Sequence, residues 1–99
     1  MRNEIFGSYI KKVREALSLP LRKVAAHLDI DTSTLSKVER GDRSASPEYL
    51  KPLTDILQLD LKEVQSRFIA DKINKDFGKM EHLTDGLKAA EQQIKRRKK

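Results

Sequence analysis

Apolar residues recur three and four positions apart along most of this chain, which is the spacing of one face of an α-helix. The first such stripe consists of Phe6, Ile10, Val13 and Leu17, and Asn3 is the predicted N-cap of its helix. No segment alternates strictly between apolar and polar residues, as a half-buried β-strand would. The sequence therefore predicts an all-α fold.

Prolines, an aspartate and a glycine divide this pattern into successive helices. Pro20 suits the first turn of a second helix, because proline lacks the N–H that a helix interior uses. Asp31 is predicted to cap a third helix, which Gly41 ends by taking a left-handed conformation. A fourth helix follows Pro47, and Pro52 either kinks it or lies near its true start. The residues predicted to be buried in the second to fourth helices are Leu21, Val24, Ala25, Leu28, Leu35, Val38, Leu50, Leu53, Ile56 and Leu57.

The helical pattern resumes at Leu61 and continues to Phe77, after which the spacing becomes that of a heptad repeat. The heptad positions are Met80, Leu83, Leu87, Ala90 and Ile94. Such spacing is typical of a helix that packs along another helix. Two interpretations are open: the segment folds back on the domain, or it pairs with a second subunit.

Positive charge is concentrated near the end of the chain. The sequence holds 21 Lys and Arg against 15 Asp and Glu, a formal charge of +6. Residues 1–60 contribute only +1, from ten basic and nine acidic residues, whereas residues 95–99 are all basic. A basic run favours nucleic acid, although at a chain end it is also typical of a solvated, frayed segment.

Several classes of protein are disfavoured by what the sequence lacks. It has no cysteine, which excludes disulfides, thiol nucleophiles and cysteine–zinc sites. No apolar run approaches the ~18 residues of a membrane span, and residues 1–10 lack the apolar block of a secretory signal. His27 and His82 are the only histidines, and no phosphate-binding glycine loop is present. We expect a cytoplasmic protein that is not an enzyme and uses no metal or cofactor.

Residues 21–40 read LRKVAAHLDIDTSTLSKVER and predict two short helices joined by a three-residue turn. This is the geometry of a helix-turn-helix, whose second helix enters the major groove of DNA. Small Ala25 lies where the two helices approach each other. The outer face of the second helix is polar, although an ordinary amphipathic helix shows the same division. Its outer residues are Thr32, Ser33, Ser36 and Lys37.

An ordered set of landmarks extends well beyond this motif. It comprises Ile10, Arg14, Val24, Ala25, Leu28, Ile30, Thr34, Leu35, Ser36, Val38, Glu39, Gly41, Pro47, Leu53, Ile56 and Leu57. From about Gly7 to Leu59 the chain thereby resembles the λ-repressor/Cro-like (XRE-type) family of bacterial and phage DNA-binding domains. The resemblance implies a five-helix bundle that binds duplex DNA, usually as a dimer on a palindromic site. We expect this domain at 6–60, a helical extension at 61–94 and a basic tail at 95–99.

The resemblance also implies roles for individual residues. The positions that read base edges in the family are Thr32, Ser33, Ser36 and Lys37 here, and those that contact phosphates are Arg40 and Arg43. Arg14 and Glu39 match a structural ion pair between the first helix and the end of the third.

Three positions depart from the family pattern. Pro20 and Leu21 replace the usual capping residue and phosphate-binding glutamine of the second helix, and Arg22 is our candidate for the missing contact. Asp29 replaces the turn glycine, and aspartate tolerates the left-handed region.

Two functions fit these features. The first is a sequence-specific transcriptional regulator, most simply a repressor, that acts as a homodimer. The alternative is an antitoxin-type protein whose C-terminal segment, within 61–94, binds a protein partner and whose DNA binding serves autoregulation.

Overall fold

The computed structural model describes residues 5–98, which form six α-helices and one short 3-10 helix. The α-helices are α1 (Phe6–Ala16), α2 (Leu21–His27), α3 (Thr32–Arg40), α4 (Leu50–Ile56), α5 (Leu61–Phe77) and α6 (Leu83–Arg97), and the 3-10 helix is Pro47–Tyr49. Residues 5–98 contain no strand, and the predicted all-α bundle is confirmed. None of the helices in this range is both long and apolar enough to cross a membrane.

The hydrophobic core lies among α1 to α4 and the first half of α5. α3 packs against α1 and α2, and α5 packs against α4 and α1. Val64 of α5 is fully buried, and the ring of Phe68 meets that of Phe6 edge-on at 5.6 Å between centroids. The core therefore extends past residue 60 into the segment that the sequence pattern assigned to the extension. The fully buried side chains are Ile10, Val24, Leu35, Leu53, Leu57 and Val64.

Two prolines lie at the starts of helices, where their missing N–H is tolerated. Pro20 is the N-cap of α2 in an extended conformation, as expected of a residue that opens a helix. Pro52 lies in the first turn of α4, where a missing N–H breaks no intrahelical hydrogen bond, so it does not kink the helix. The N-cap of α1 is Ile5, without a side-chain hydrogen bond, whereas Asn3 lies outside the described residues.

Gly7 allows α1 to approach the C-terminal end of α3. A Cβ at this position would collide with the backbone carbonyl oxygen of Val38 and would lie 2.7 Å from that of Glu39. Backbone oxygens cannot move aside as a flexible side chain can. The two helices therefore pack at this distance because residue 7 has no side chain.

Four successive helices end in the same left-handed turn. A residue with positive φ follows each of α1 to α4: Ser18 (55°), Asp29 (59°), Gly41 (82°) and Gln58 (57°). In each turn the next N–H donates to a helix carbonyl at 2.9–3.0 Å, from Leu19 to Arg14, Ile30 to Ala25, Asp42 to Lys37 and Leu59 to Thr54. These bonds satisfy carbonyls that the helix end leaves free. The turns at Asp29 and Gly41 match their predicted conformations. Leu17, the last residue of the predicted first stripe, is the C-cap of α1 and is exposed.

α6 contributes nothing to the core. None of its residues is buried, and only Leu83 is even half-buried. Folding back onto the domain would have buried the heptad residues, so the structure does not support that interpretation. The helix continues to Arg97, so most of the predicted basic tail is helical, whereas Lys99 lies outside the described residues.

Candidate nucleic-acid interface

The Asp31 side chain caps the start of α3. Its Oδ1 accepts hydrogen bonds from the backbone N–H of Thr34, at 2.9 Å, and from the Ser33 hydroxyl, at 3.1 Å. The predicted cap is therefore confirmed. Hydrogen bonds from Thr34, through both side chain and backbone, and from Ser33 hold the pKa of Asp31 below its ordinary value. The charged carboxylate thus holds the first turn of the candidate recognition helix in place.

Acid is expected to weaken this cap. Because the pKa is lower in the folded chain, the stabilisation is complete above the unfolded value of 3.8 and is lost as the pH falls through the lower folded value. Asp31→Asn keeps a side-chain oxygen that accepts the hydrogen bond, but its amide does not titrate in this pH range. Urea unfolding of both proteins at pH 7 and pH 2.5 should show the advantage of the wild type shrinking in acid. An advantage of the same size at both pH values would contradict this role.

α3 presents an apolar back and a polar front. Leu35 and Val38 are buried in the bundle, while Thr32 and Lys37 on the opposite side are exposed. Neither Thr32 nor Lys37 hydrogen-bonds through its side chain to the rest of the described chain, so both are available to an external partner. Ser33 is exposed too, although its hydroxyl is turned to Asp31. The predicted base-reading residues therefore lie on one outer surface, with Ser36 half-buried at its edge.

The last turn of α3 is tied to α1 by an ion pair with two hydrogen bonds. The Nε of Arg14 lies 2.7 Å from Oε2 of Glu39, and its Nη2 lies 3.0 Å from Oε1. Its remaining nitrogen donates to the carbonyl of Leu19 at 2.9 Å. The two side chains are only 11% and 4% exposed, and the hydrogen bond to Glu39 raises the pKa of Arg14. This single contact joins α1, the turn that follows it and the end of α3.

The three predicted phosphate-contacting arginines differ in their surroundings. Arg22 in α2 and Arg43 in the loop after α3 are exposed. Arg40 is also exposed, but its Nε lies 3.0 Å from Asp42 and its Nη1 donates to the Ser36 hydroxyl at 2.7 Å. An exposed ion pair of this kind is worth about 0–1 kcal/mol, so a phosphate can displace Asp42 at small cost. The sequence pattern did not reveal this competition.

Two lysines of α5 share an open cleft with Arg43. The cleft lies between the start of α1, the loop 41–45 and α5, and Lys72 and Lys75 line it. Lys72 lies 3.6 Å from Asp76 of the same helix. Asp71 lines the same cleft, so the basic side chains there are accompanied by an acidic one. The sequence analysis did not consider these lysines, because α5 was assigned to a separate extension.

His82 and its acidic neighbours were the remaining candidates for a metal site. His82 lies 3.9 Å from Glu81 and 3.8 Å from Asp85, and all three are highly exposed. Across residues 5–98, no three His, Asp or Glu side chains come together in a way that could hold a metal ion.

Comparisons with known proteins agree with this geometry. A family model described as "Helix-turn-helix" matches residues 10–64, more than half of the chain and as far as Val64 of the core. The structure is similar to the crystal structure of the clp gene regulator ClgR from Corynebacterium glutamicum. The sequence identity is 21%, the match covers 92% of this chain and 83% of that one, and the TM-score is 0.57. No curated protein sequence matches the chain significantly.

Proposed function

Since this chain belongs to the helix-turn-helix family and is a DNA-binding regulator of that kind, we propose that α3 reads the sequence of duplex DNA from the major groove. The observation that supports this proposal is the division of α3 into an apolar back and a polar front. The back, with Leu35 and Val38, anchors the helix in the bundle. The front is free to meet base edges, and a major groove about 12 Å wide admits one helix.

The exposed side chains of α3 suit different base edges. Lys37 can donate to O6 and N7 of guanine, and the methyl group of Thr32 can contact the methyl group of thymine. The hydroxyls of Ser33 and Ser36 can donate to or accept from either kind of base once they exchange their present partners. We assign base contacts to these four residues.

Contacts to the DNA backbone are assigned to Arg22, Arg40 and Arg43. Phosphate contacts supply much of the affinity of a DNA-binding protein and position the reading helix without specifying sequence. A near-neutral bundle can bind in this way because these arginines are exposed around α3 while Glu39 is buried.

The regulator is proposed to act as a homodimer on a palindromic operator, as a repressor that occludes a promoter. Each subunit would place one α3 in the major groove, so the half-sites should lie about 34–36 Å apart or at a multiple of that distance. We further propose a cytoplasmic protein that lies at the nucleoid when it is bound to DNA. An antitoxin-type role for the C-terminal segment remains the competing hypothesis, and the exposed apolar face of α6 is the observation that favours it.

Arg43→Ala is expected to weaken binding to all DNA sequences to a similar degree. Losing one phosphate contact should lower the slope of log affinity against log salt by about 1, because fewer counterions are released on binding. Fluorescence anisotropy at several salt concentrations, on the preferred site and on random duplex, measures both effects. Lys88→Ala, which removes one charge from α6, is the control and should change neither. Loss of discrimination without a change in salt slope would refute the phosphate role of Arg43.

A further inference from the structure

Exposed apolar side chains are concentrated in the last third of the chain. Among the described residues, seven large apolar side chains are exposed, and five of these lie between residues 69 and 94. Their exposed fractions run from 41% to 62%. Soluble monomers seldom leave a large apolar surface open, so this concentration indicates an interaction surface. The five residues are Ile69, Phe77, Met80, Leu87 and Ile94.

The apolar positions of α6 are spaced symmetrically. Leu83, Leu87, Ala90 and Ile94 are separated by four, three and four residues, so the spacing is the same in either chain direction. Two copies of α6 that run antiparallel would therefore align Leu83 with the partner's Ile94, and Leu87 with the partner's Ala90. Each layer would then join two apolar side chains, with large Leu87 against small Ala90 in the two central layers.

Charge is distributed unevenly along α6, with acidic residues near its start and basic residues at its end. Glu81 lies two residues before its start and Asp85 lies in its first turn, while Lys95, Arg96 and Arg97 lie in its last turn. A parallel pair would place the two basic ends together. An antiparallel pair places each basic end beside the partner's acidic end. The two helix dipoles then point in opposite directions, which is the favourable arrangement for neighbouring helices. Charge complementarity therefore selects a second, antiparallel copy of this helix as the occupant.

We propose that α6 pairs antiparallel with α6 of a second copy of the chain and forms the centre of the dimer interface. This inference rests on the proposed homodimer and specifies its interface. The two-fold axis passes between Leu87 and Ala90, which gives the self-complementary contact expected of a symmetric dimer. Each bundle then lies on its own side of the axis, as recognition of a palindrome requires.

A helix pair about 22 Å long does not by itself provide the ~800 Å² per partner of a standard interface. Additional apolar area lies immediately before α6. Ile69, Ile73 and Phe77 are spaced four residues apart on one face of α5, and Met80 follows in the connection. We assign these residues to the edges of the same interface.

Introduced thiols test the orientation directly, because the chain has no cysteine of its own. Leu83→Cys and Ile94→Cys are made as separate variants of the full chain and oxidised singly or as a mixture. In the antiparallel pair the two copies of either position lie 11 residues, or about 16 Å, apart along the helices. A disulfide needs Cα atoms within about 7 Å. Each variant alone should therefore stay uncrosslinked, and the mixture should form a disulfide between positions 83 and 94.

Two results would overturn the proposal. Efficient crosslinking of each variant to itself would mean that the helices run parallel. Absence of crosslinking in the mixture, with a mass of 11.4 kDa in solution, would mean that α6 does not pair with itself and that a different protein covers it.

A substitution that introduces a charge on the apolar face of α6 tests the dimer interface separately from DNA recognition by α3. Leu87→Asp should reduce the mass in solution from twice 11.4 kDa to a single chain, while Gln92→Asp, which adds the same charge on the outer face, should leave a dimer. Because α6 is not part of the core, the thermal unfolding of the bundle should be nearly unchanged. The Leu87 variant should lose the preference for two half-sites over one yet still discriminate a half-site from random duplex. Loss of discrimination in the wild type as well would instead indicate that the proposed function is wrong, and a dimeric Leu87 variant would indicate that the interface is wrong.

Discussion

Arg14→Met is expected to destabilise the bundle by about 3–5 kcal/mol, because it leaves the buried carboxylate of Glu39 without its cation. The Glu39 side chain is 4% exposed and receives two hydrogen bonds from Arg14, so water cannot easily replace the lost partner. The free carbonyl of Leu19 adds to the loss. Chemical denaturation of wild type and variant measures the difference in the free energy of unfolding.

Two further variants show whether the pair is responsible. Lys72→Met breaks an exposed ion pair with Asp76 and should cost no more than about 1 kcal/mol. Arg14→Met combined with Glu39→Leu removes both charges and should recover much of the stability that the single variant loses. If the free energy of unfolding of Arg14→Met lay within about 1 kcal/mol of the wild-type value, the ion pair would not be what holds α3 against α1.

Lys37→Ala is expected to cost about 1–3 kcal/mol on the preferred DNA site, or roughly 5-fold to 150-fold in affinity. The loss should fall on one base position of each half-site, because Lys37 is exposed on the front of α3 and is assigned to a guanine. Binding to random duplex should change far less. Titration against the preferred site and its single-base variants measures both quantities.

Arg43→Ala provides the contrast for this experiment, since a phosphate contact carries no sequence information. Its losses should be similar on every duplex tested. If Lys37→Ala left the preferred sequence and its margin over other sequences intact, the assigned orientation of α3 in the groove would be wrong.

Local chemistry explains why part of the fold could be predicted. The cap at Asp31 depends on a carboxylate that accepts from the backbone. The left-handed turns at Asp29 and Gly41 depend on residue types that tolerate or favour positive φ. Ser18 and Gln58 adopt the same left-handed conformation without any such preference. Both turns close with the same backbone hydrogen bond as the other two, from Leu19 to Arg14 and from Leu59 to Thr54. Such a bond does not involve the side chain, so the residue type gives no signal for it in the sequence.

The same distinction applies to the candidate site. The polar front of α3 follows from helical periodicity, so Thr32 and Lys37 could be found in advance. The hydrogen bonds of Arg40 to Asp42 and Ser36 depend on side-chain directions that residue spacing does not determine. The place of Val64 in the core could not be inferred either, because its stripe resembles that of the exposed helix that follows.

Selection of bound duplexes from a random DNA library, at near-physiological salt, tests the central claim most directly. If α3 of each subunit reads one half-site, a palindrome is enriched whose half-sites are separated by about one helical turn or a multiple of it. Enrichment of no sequence, together with binding that disappears as salt rises, would mean that basic charge alone attracts the DNA and would contradict sequence reading by α3.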